Sequence, residues 1–213
     1  MNARRVEFAE HGGLKYILRL PATSSLARAP VLLFLHGYDE GAPMEIDAAL
    51  TRHGPLRDGN PADALAPFII VAPQLPFRGD VWHEFADAVA ALLRAVHEQH
   101  GGDPARSYLT GFSFGGNGVF DLALLQPNTW AALWAVDPTR VPARDPQRPV
   151  WLSFGMIARM RKSGFIRALA LSPAADAPRG DRLQLDEGAD HVGSATLAYG
   201  DARIYAWLLA HTL

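Results

Sequence analysis

Apolar residues fall into short, nearly unbroken runs spaced along the chain. Val31-Leu32-Leu33-Phe34-Leu35, Phe68-Ile69-Ile70-Val71-Ala72, Trp130 to Val136 and Pro149 to Phe154 are each of strand length. Continuous apolar runs mark strands buried on both faces, which implies parallel pairing beneath layers of helix. Val6 to Leu20 reads instead as two outer strands around a turn at Gly12-Gly13, and Arg182-Leu183-Gln184-Leu185 as a last strand. Between the strands the spacing turns helical. Trp82, Phe85, Val89, Leu92, Leu93 and Val96 form one stripe of a helix over 82–100, stopped by Gly101-Gly102. Shorter helical stretches are predicted near Met44 to Arg52, from Val119 to Leu125 and from Arg159 to Leu171. A closing amphipathic helix is predicted over Leu197 to His211, with Ile204, Tyr205, Leu208 and Leu209 inward. Pro21 to Pro30 reads as loop, and Pro73 is expected to end its strand. The alternation predicts an α/β fold: a mostly parallel central sheet with helices on both faces, one domain over 1–213, and no segment long enough for a cap. The site should then be open.

Composition narrows the chemistry. The 213 residues carry a formal net charge of −2 and no block of like charges, which points away from nucleic acid and membrane surfaces. No apolar run reaches membrane-spanning length. The N-terminus, Met1 to Glu7, turns acidic before the apolar core of a signal peptide, so a cytoplasmic location is expected. With no cysteine, disulfides, thiolate metal sites and a cysteine nucleophile are excluded. His97 and His100 lie one turn apart on a helix but lack a second acidic motif, so they read as a solvated helix end. No metal or organic cofactor is implied.

The candidate chemistry centres on Tyr108-Leu109-Thr110-Gly111-Phe112-Ser113-Phe114-Gly115-Gly116. It holds G-x-S-x-G between a β-favouring run and a helical one, the context of a nucleophile elbow. The turn leaves little room two residues either side of Ser113, and Gly111 and Gly115 meet that demand. Serine needs a base, and the base needs an orienting carboxylate. His191, in the loop expected after the last strand, fits the base. The strand 31–35 ends in His36-Gly37-Tyr38, where the Tyr38 N–H, together with the Phe114 N–H, is expected to form an oxyanion hole. The acid is less direct. The loop Gly155 to Arg161 after the strand 150–154 has no carboxylate. Asp137, which ends the preceding strand in an Asp-Pro pair, is the substitute; Asp186, Glu187 and Asp190 are too local to His191.

These pieces resemble the α/β-hydrolase superfamily, more narrowly the lidless bacterial esterases and peptidase-like proteins related to polyhydroxybutyrate depolymerases, feruloyl-type esterases and the phospholipase/carboxylesterase group. The resemblance rests on Leu33-Phe34-Leu35-His36-Gly37, His53-Gly54-Pro55, Ile70-Val71-Ala72-Pro73-Gln74, Trp82, the Ser113 segment, Pro149-Val150-Trp151, Gly188-Ala189-Asp190-His191 and Tyr205 to Leu209. It implies Ser113 as nucleophile, His191 as base, and Tyr38 and Phe114 as oxyanion donors. The chain departs from the group's His-Gly-x-x-Asp pattern: Phe154 replaces the histidine and Ala158 stands at the aspartate position. Some α/β-hydrolases, such as pancreatic-type lipases, carry their acid where Asp137 stands, in a similar Asp-Pro context. The expected activity is hydrolysis of a small or medium acyl ester, with a small-molecule ester as partner. The alternatives are a catalytically impaired protein that binds a ligand or partner in the same cleft, with Arg159, Arg161 and Lys162 beside it, or a peptidase. Trp82, Trp134, Phe112, Phe114 and Tyr38 are candidates to line an acyl site.

Overall fold

The computed structural model describes residues 6–21, 28–177 and 179–213. The N-terminal residues 1–5 and most of the loop expected over 21–30 lie outside the described residues. The outer hairpin is β1 (Val6–His11) and β2 (Leu14–Arg19). The central strands are β3 (Ala29–Leu35), β4 (Ile69–Gln74), β5 (Gly102–Phe112), β6 (Ala132–Val136) and β7 (Val150–Phe154), followed by β8 (Ser172–Pro173) and β9 (Arg182–Asp186). They form one nine-stranded sheet in the order β1-β2-β4-β3-β5-β6-β7-β9-β8. Only the β1/β2 and β2/β4 pairs are antiparallel. All other pairs, from β4/β3 to β9/β8, are parallel.

Strand periodicity explains why the apolar runs carry no polar alternation. Val31, Leu33 and Leu35 of β3 enter one core cluster with Ile69, Val71, Leu109, Leu133 and Leu152. Leu32 and Phe34 enter the opposite cluster with Ile70, Tyr108, Trp134 and Trp151. Each face therefore demands apolar side chains at alternate positions, and the two demands together fill every position. Helix α3 (Ala86–Gln99), preceded by a 3-10 turn at Trp82–Phe85, α4 (Phe114–Leu125, after Ser113) and α6 (Lys162–Leu169) cover the first face through residues such as Val89, Leu92, Val119, Phe120 and Phe165. The short α1 (Ile46–Leu50) and α2 (Ala62–Leu65), with α7 (His191–Gly200) and α8 (Ala202–Leu209), cover the second. A four-residue α5 (Met156–Arg159) precedes α6. Among the described residues no helix is long and apolar enough to cross a membrane.

Several boundaries differ from the sequence expectation. The closing helix is two helices. It breaks at Gly200-Asp201, where the Asp201 side chain accepts the Arg203 N–H and starts α8 anew. The stretch expected as one helix from Arg159 to Leu171 is also divided, into α5 and α6, and α6 ends on Ala170 in the left-handed region at φ 52°. Pro73 does not end β4, because pairing with β2 carries the strand on to Gln74. His97 is not simply a solvated helix end: its Nε2 lies 2.8 Å from Ser107 Oγ and ties α3 to β5.

Candidate active site

Ser113 sits between β5 and α4 with φ 57° and ψ −117°, a conformation that L-residues rarely hold outside functional turns. Close packing fixes it. A Cβ on Gly111 would collide with the Gly115 carbonyl, and a Cβ on Gly115 would collide with the Leu35 carbonyl. The Ser113 N–H donates to Val136 O at 3.0 Å, and the Asn117 N–H donates to Ser113 O at 3.2 Å. Strand end, serine and first helical turn are thus locked to β6.

Asp137 ends β6, also with positive φ (41°), and its carboxylate is fully buried. Its Oδ1 accepts the Gly155 N–H at 3.0 Å and the Ala158 N–H at 2.7 Å. Its Oδ2 accepts the Ile157 N–H at 3.3 Å and lies 2.5 Å from His191 Nδ1. The loop that lacks a carboxylate thus supplies backbone donors to one brought from the neighbouring strand. The turn after Asp137 is itself clamped. Asn117 Oδ1 accepts the Thr139 and Arg140 N–H groups, and the Arg140 guanidinium bonds Asp80 and Asp121.

His191 Nε2 lies 3.0 Å from Ser113 Oγ. With Nδ1–H donating to the Asp137 carboxylate, the Nε2 lone pair is left to accept the serine proton. His191 is not in the loop expected from the sequence. It is the first residue of α7, whose N-cap Asp190 accepts the Gly193 N–H at 2.6 Å. The Phe112 ring lies against the imidazole at 4.6 Å. The structure brings Ser113, His191 and Asp137, each named from the sequence, into one chain of contacts; the backbone donors at Gly155, Ile157 and Ala158 were not foreseen. No polar side chain in that loop could have signalled them.

Gly155 leaves no room for a side chain. A Cβ there would sit 2.5 Å from Asp137 Cγ and overlap Ser194 Oγ. Gly155→Ala is expected to cost about 2 kcal/mol of stability through overpacking. It should also displace the carboxylate from His191. Thermal melting and the His191 Nδ1 chemical shift measured side by side check this; a wild-type melting temperature and shift in the variant would refute the packing argument.

Two of the cations next to this loop, Arg159 and Lys162, are committed elsewhere. Arg159 makes a two-pronged pair with Asp186 and also donates to Ala189 O at 3.0 Å, and Lys162 Nζ lies 3.1 Å from Asp186. The Arg159 guanidinium, helped by Lys162, holds the Asp186 carboxyl well below the usual carboxylate range. Arg159 and Lys162 therefore brace the approach to His191 rather than wait for an acidic substrate group.

The loop after β3 lies against the serine: a Cβ at Gly37 would come within 3.2 Å of Ser113 Cβ. The Tyr38 and Phe114 rings meet edge to face at 5.6 Å. Phe114 opens α4, where N–H groups have no intrahelical acceptor. His36 holds the loop from beneath. Its Nδ1 lies 2.6 Å from Gly37 O, its Nε2 accepts the Leu75 N–H at 2.9 Å, and burial pushes its pKa down to about 4. An unfolded imidazole titrates near 6.5. Between these values the unfolded chain binds the extra proton, so stability is complete above the window and is lost as pH falls through it, by roughly 3 kcal/mol for His36 alone. Burial also pushes His53 down to about 4, which adds in the same direction. Urea unfolding at pH 7, 5.5 and 4 checks this; equal stability at all three would contradict it.

Of the aromatics expected to line an acyl site, Trp82 and Trp134 are fully buried core residues and Phe112 is 3% exposed. Tyr38 is open to solvent. So are Met156, beside Gly155, and Val192, beside His191; each of the three is about half exposed.

No protein-family model matches the chain, and no curated protein matches it. Solved structures do. The chain superposes on a thermostable esterase with a TM-score of 0.70 at 17% identity, covering 99% of this chain and 63% of that one, which is the longer protein. An S-formylglutathione hydrolase from Staphylococcus aureus matches with a TM-score of 0.71 at 13% identity, over 98% of each chain. This is the α/β-hydrolase fold. A feruloyl esterase module from Clostridium thermocellum, in complex with sinapinate, shares it with a TM-score of 0.66 at 15% identity, over 94% of this chain and 86% of that one. Within the α/β-hydrolase fold, ligands meet the sheet at the carboxyl ends of its parallel strands, and Ser113, Asp137 and the Tyr38 loop all stand there, on β5, β6 and β3.

Proposed function

We propose that the chain is a serine hydrolase acting on carboxylic esters with a small or medium acyl group. The observation that carries this reading is the continuous path Ser113 Oγ to His191 Nε2 at 3.0 Å and His191 Nδ1 to Asp137 Oδ2 at 2.5 Å. Ser113 Oγ attacks the ester carbonyl while His191 Nε2 takes its proton. The oxyanion that forms is held by the Phe114 and Tyr38 N–H groups, an effect worth about 3 kcal/mol per donor. The imidazolium then protonates the departing alcohol and leaves an acyl group on Ser113. Water, deprotonated by His191, attacks that acyl group, and His191 returns the proton to Ser113 as the acid leaves. Asp137 fixes the Nδ1–H tautomer and offsets the charge of the imidazolium.

Exposed Tyr38, Met156 and Val192 favour an apolar acyl group over a charged one. Amide cleavage by the same groups ranks below ester cleavage, because the leaving group is poorer. The ligand-binding alternative rests on the missing acid after β7 and on Arg159, Arg161 and Lys162; the contact of Asp137 with His191 favours the hydrolase. Labelling with a fluorophosphonate, followed by peptide mass mapping and a panel of p-nitrophenyl esters, tests the reading. The expected result is a single adduct on Ser113 and turnover of short acyl esters. A folded protein that takes no label and turns over no ester would be a binding protein.

A further inference from the structure

A second pair of titratable groups is shut away from water beside Ser113. The side chains of Glu40 and His53 are 5% and 11% exposed, and Glu40 Oε1 lies 3.4 Å from His53 Nε2. The reaction above uses neither. Glu40 Oε2 comes within 2.9 Å of the point where a Gly37 Cβ would stand, and Ser113 Cβ lies 3.2 Å from that same point. Burial pushes the Glu40 pKa up; the Arg52 charge, followed by the backbone of Glu40 and of Gly37, acts the other way and stabilises the anion. His53 rests against the Phe112 ring at 5.1 Å, and Phe112 lies against His191.

The rest of the loop is pinned at its two ends. His36 engages Gly37 O and the Leu75 N–H, and Gln74 Nε2 donates to Glu40 O and Met44 O. Glu40 Oε1 facing His53 Nε2 at 3.4 Å adds a side-chain contact to those backbone anchors. A carboxyl this near a developing oxyanion opposes it electrostatically. Its contribution to turnover has to come from geometry.

We propose that Glu40 and His53 are positioning residues that set the 36–40 loop at the distance from Ser113 at which the Tyr38 N–H reaches the oxyanion. The inference rests on the serine-hydrolase reading above and adds to it the part of the molecule that holds the oxyanion hole in place.

The experiment measures kcat and KM on a p-nitrophenyl ester, and inhibition by a trifluoromethyl ketone whose tetrahedral adduct needs the same N–H donors. For Glu40→Ala and His53→Ala the expected result is a kcat lower by about 30-fold, with KM within about threefold and inhibitor affinity weakened in step with kcat/KM. Glu40→Gln keeps an acceptor for the Gly37 N–H and drops the charge, so it is expected to stay within about threefold of wild type. The double variant should be little worse than the weaker single one, because both break one unit. A folded Glu40→Ala protein with wild-type kcat overturns the proposal. So does a Glu40→Gln protein as impaired as Glu40→Ala, or a loss of kcat with inhibitor affinity unchanged. If Glu40→Ala does not fold, His53→Ala carries the same comparison. Wild-type protein that takes no fluorophosphonate and turns over no ester fails the hydrolase reading and this inference together. Labelled wild type beside indifferent Glu40 and His53 variants fails the inference alone.

Discussion

Ser113→Ala is expected to lower ester turnover by about 10⁵-fold or more and to abolish fluorophosphonate labelling. The reasoning starts from local structure. The backbone at residue 113 is held at φ 57° by the Val136 carbonyl and by glycines packed against neighbouring carbonyls, not by the serine hydroxyl. Alanine has the same Cβ and meets the same strain, so the elbow should keep its shape and the protein its melting temperature. What is lost is the one atom that can form the acyl bond. His191 and Asp137 remain paired with nothing to activate except water. Parallel measurement of kcat/KM, labelling and thermal unfolding separates loss of chemistry from loss of fold. Turnover within about tenfold of wild type would place the nucleophile elsewhere.

Asp137→Asn is expected to reduce kcat by about 10³- to 10⁴-fold while Ser113 remains in place. Every neighbour of the Asp137 carboxylate is a donor: the N–H groups of Gly155, Ile157 and Ala158, and His191 Nδ1–H. An asparagine has one acceptor oxygen for these donors and must turn its NH₂ towards one side. The Gly155 and Ala158 N–H groups both need an acceptor at the Oδ1 position, so the NH₂ is driven towards His191. There it selects the opposite tautomer, with Nδ1 accepting and Nε2–H aimed at Ser113, and the base is lost. The Nδ1 and Nε2 chemical shifts of His191 report this flip directly, alongside kcat. A folded Asp137→Asn protein with turnover within about tenfold of wild type would falsify the assignment of the acid and leave the nucleophile untouched.

The strands were legible because a two-sided sheet imposes an apolar residue at every position, and Val31 to Leu35 or Trp130 to Val136 have no other simple explanation. The helix breaks were less so. Gly200-Asp201 is punctuation that a continuous apolar stripe can override, and only the cap geometry at Asp201 shows that it does not. In the site, Ser113 and its glycines form a local pattern, and the structure seats that serine in the tight turn the glycines imply. Asp137 was reachable by elimination along the strand ends. Glu40 and His53 were not, since their partnership spans two loops and depends on burial that neither neighbourhood announces. The donors to Asp137 are backbone atoms, which carry no residue identity to read.

That last point changes how the loop after β7 can be engineered. Because α5 serves the buried carboxylate through main-chain hydrogens alone, the side chains of exposed Met156 and Met160 are not bound to the chemistry by hydrogen bonds. Combinatorial libraries at these positions can reshape the surface beside Gly155 while His191 keeps its link to Asp137. Proline is the residue to exclude at 157 and 158, since it would delete a donor outright, and position 155 has to stay glycine. With its carboxylate one strand nearer Ser113, the protein separates two tasks, support of His191 and shaping of the outer surface, that a side-chain carboxylate in this loop would bind together.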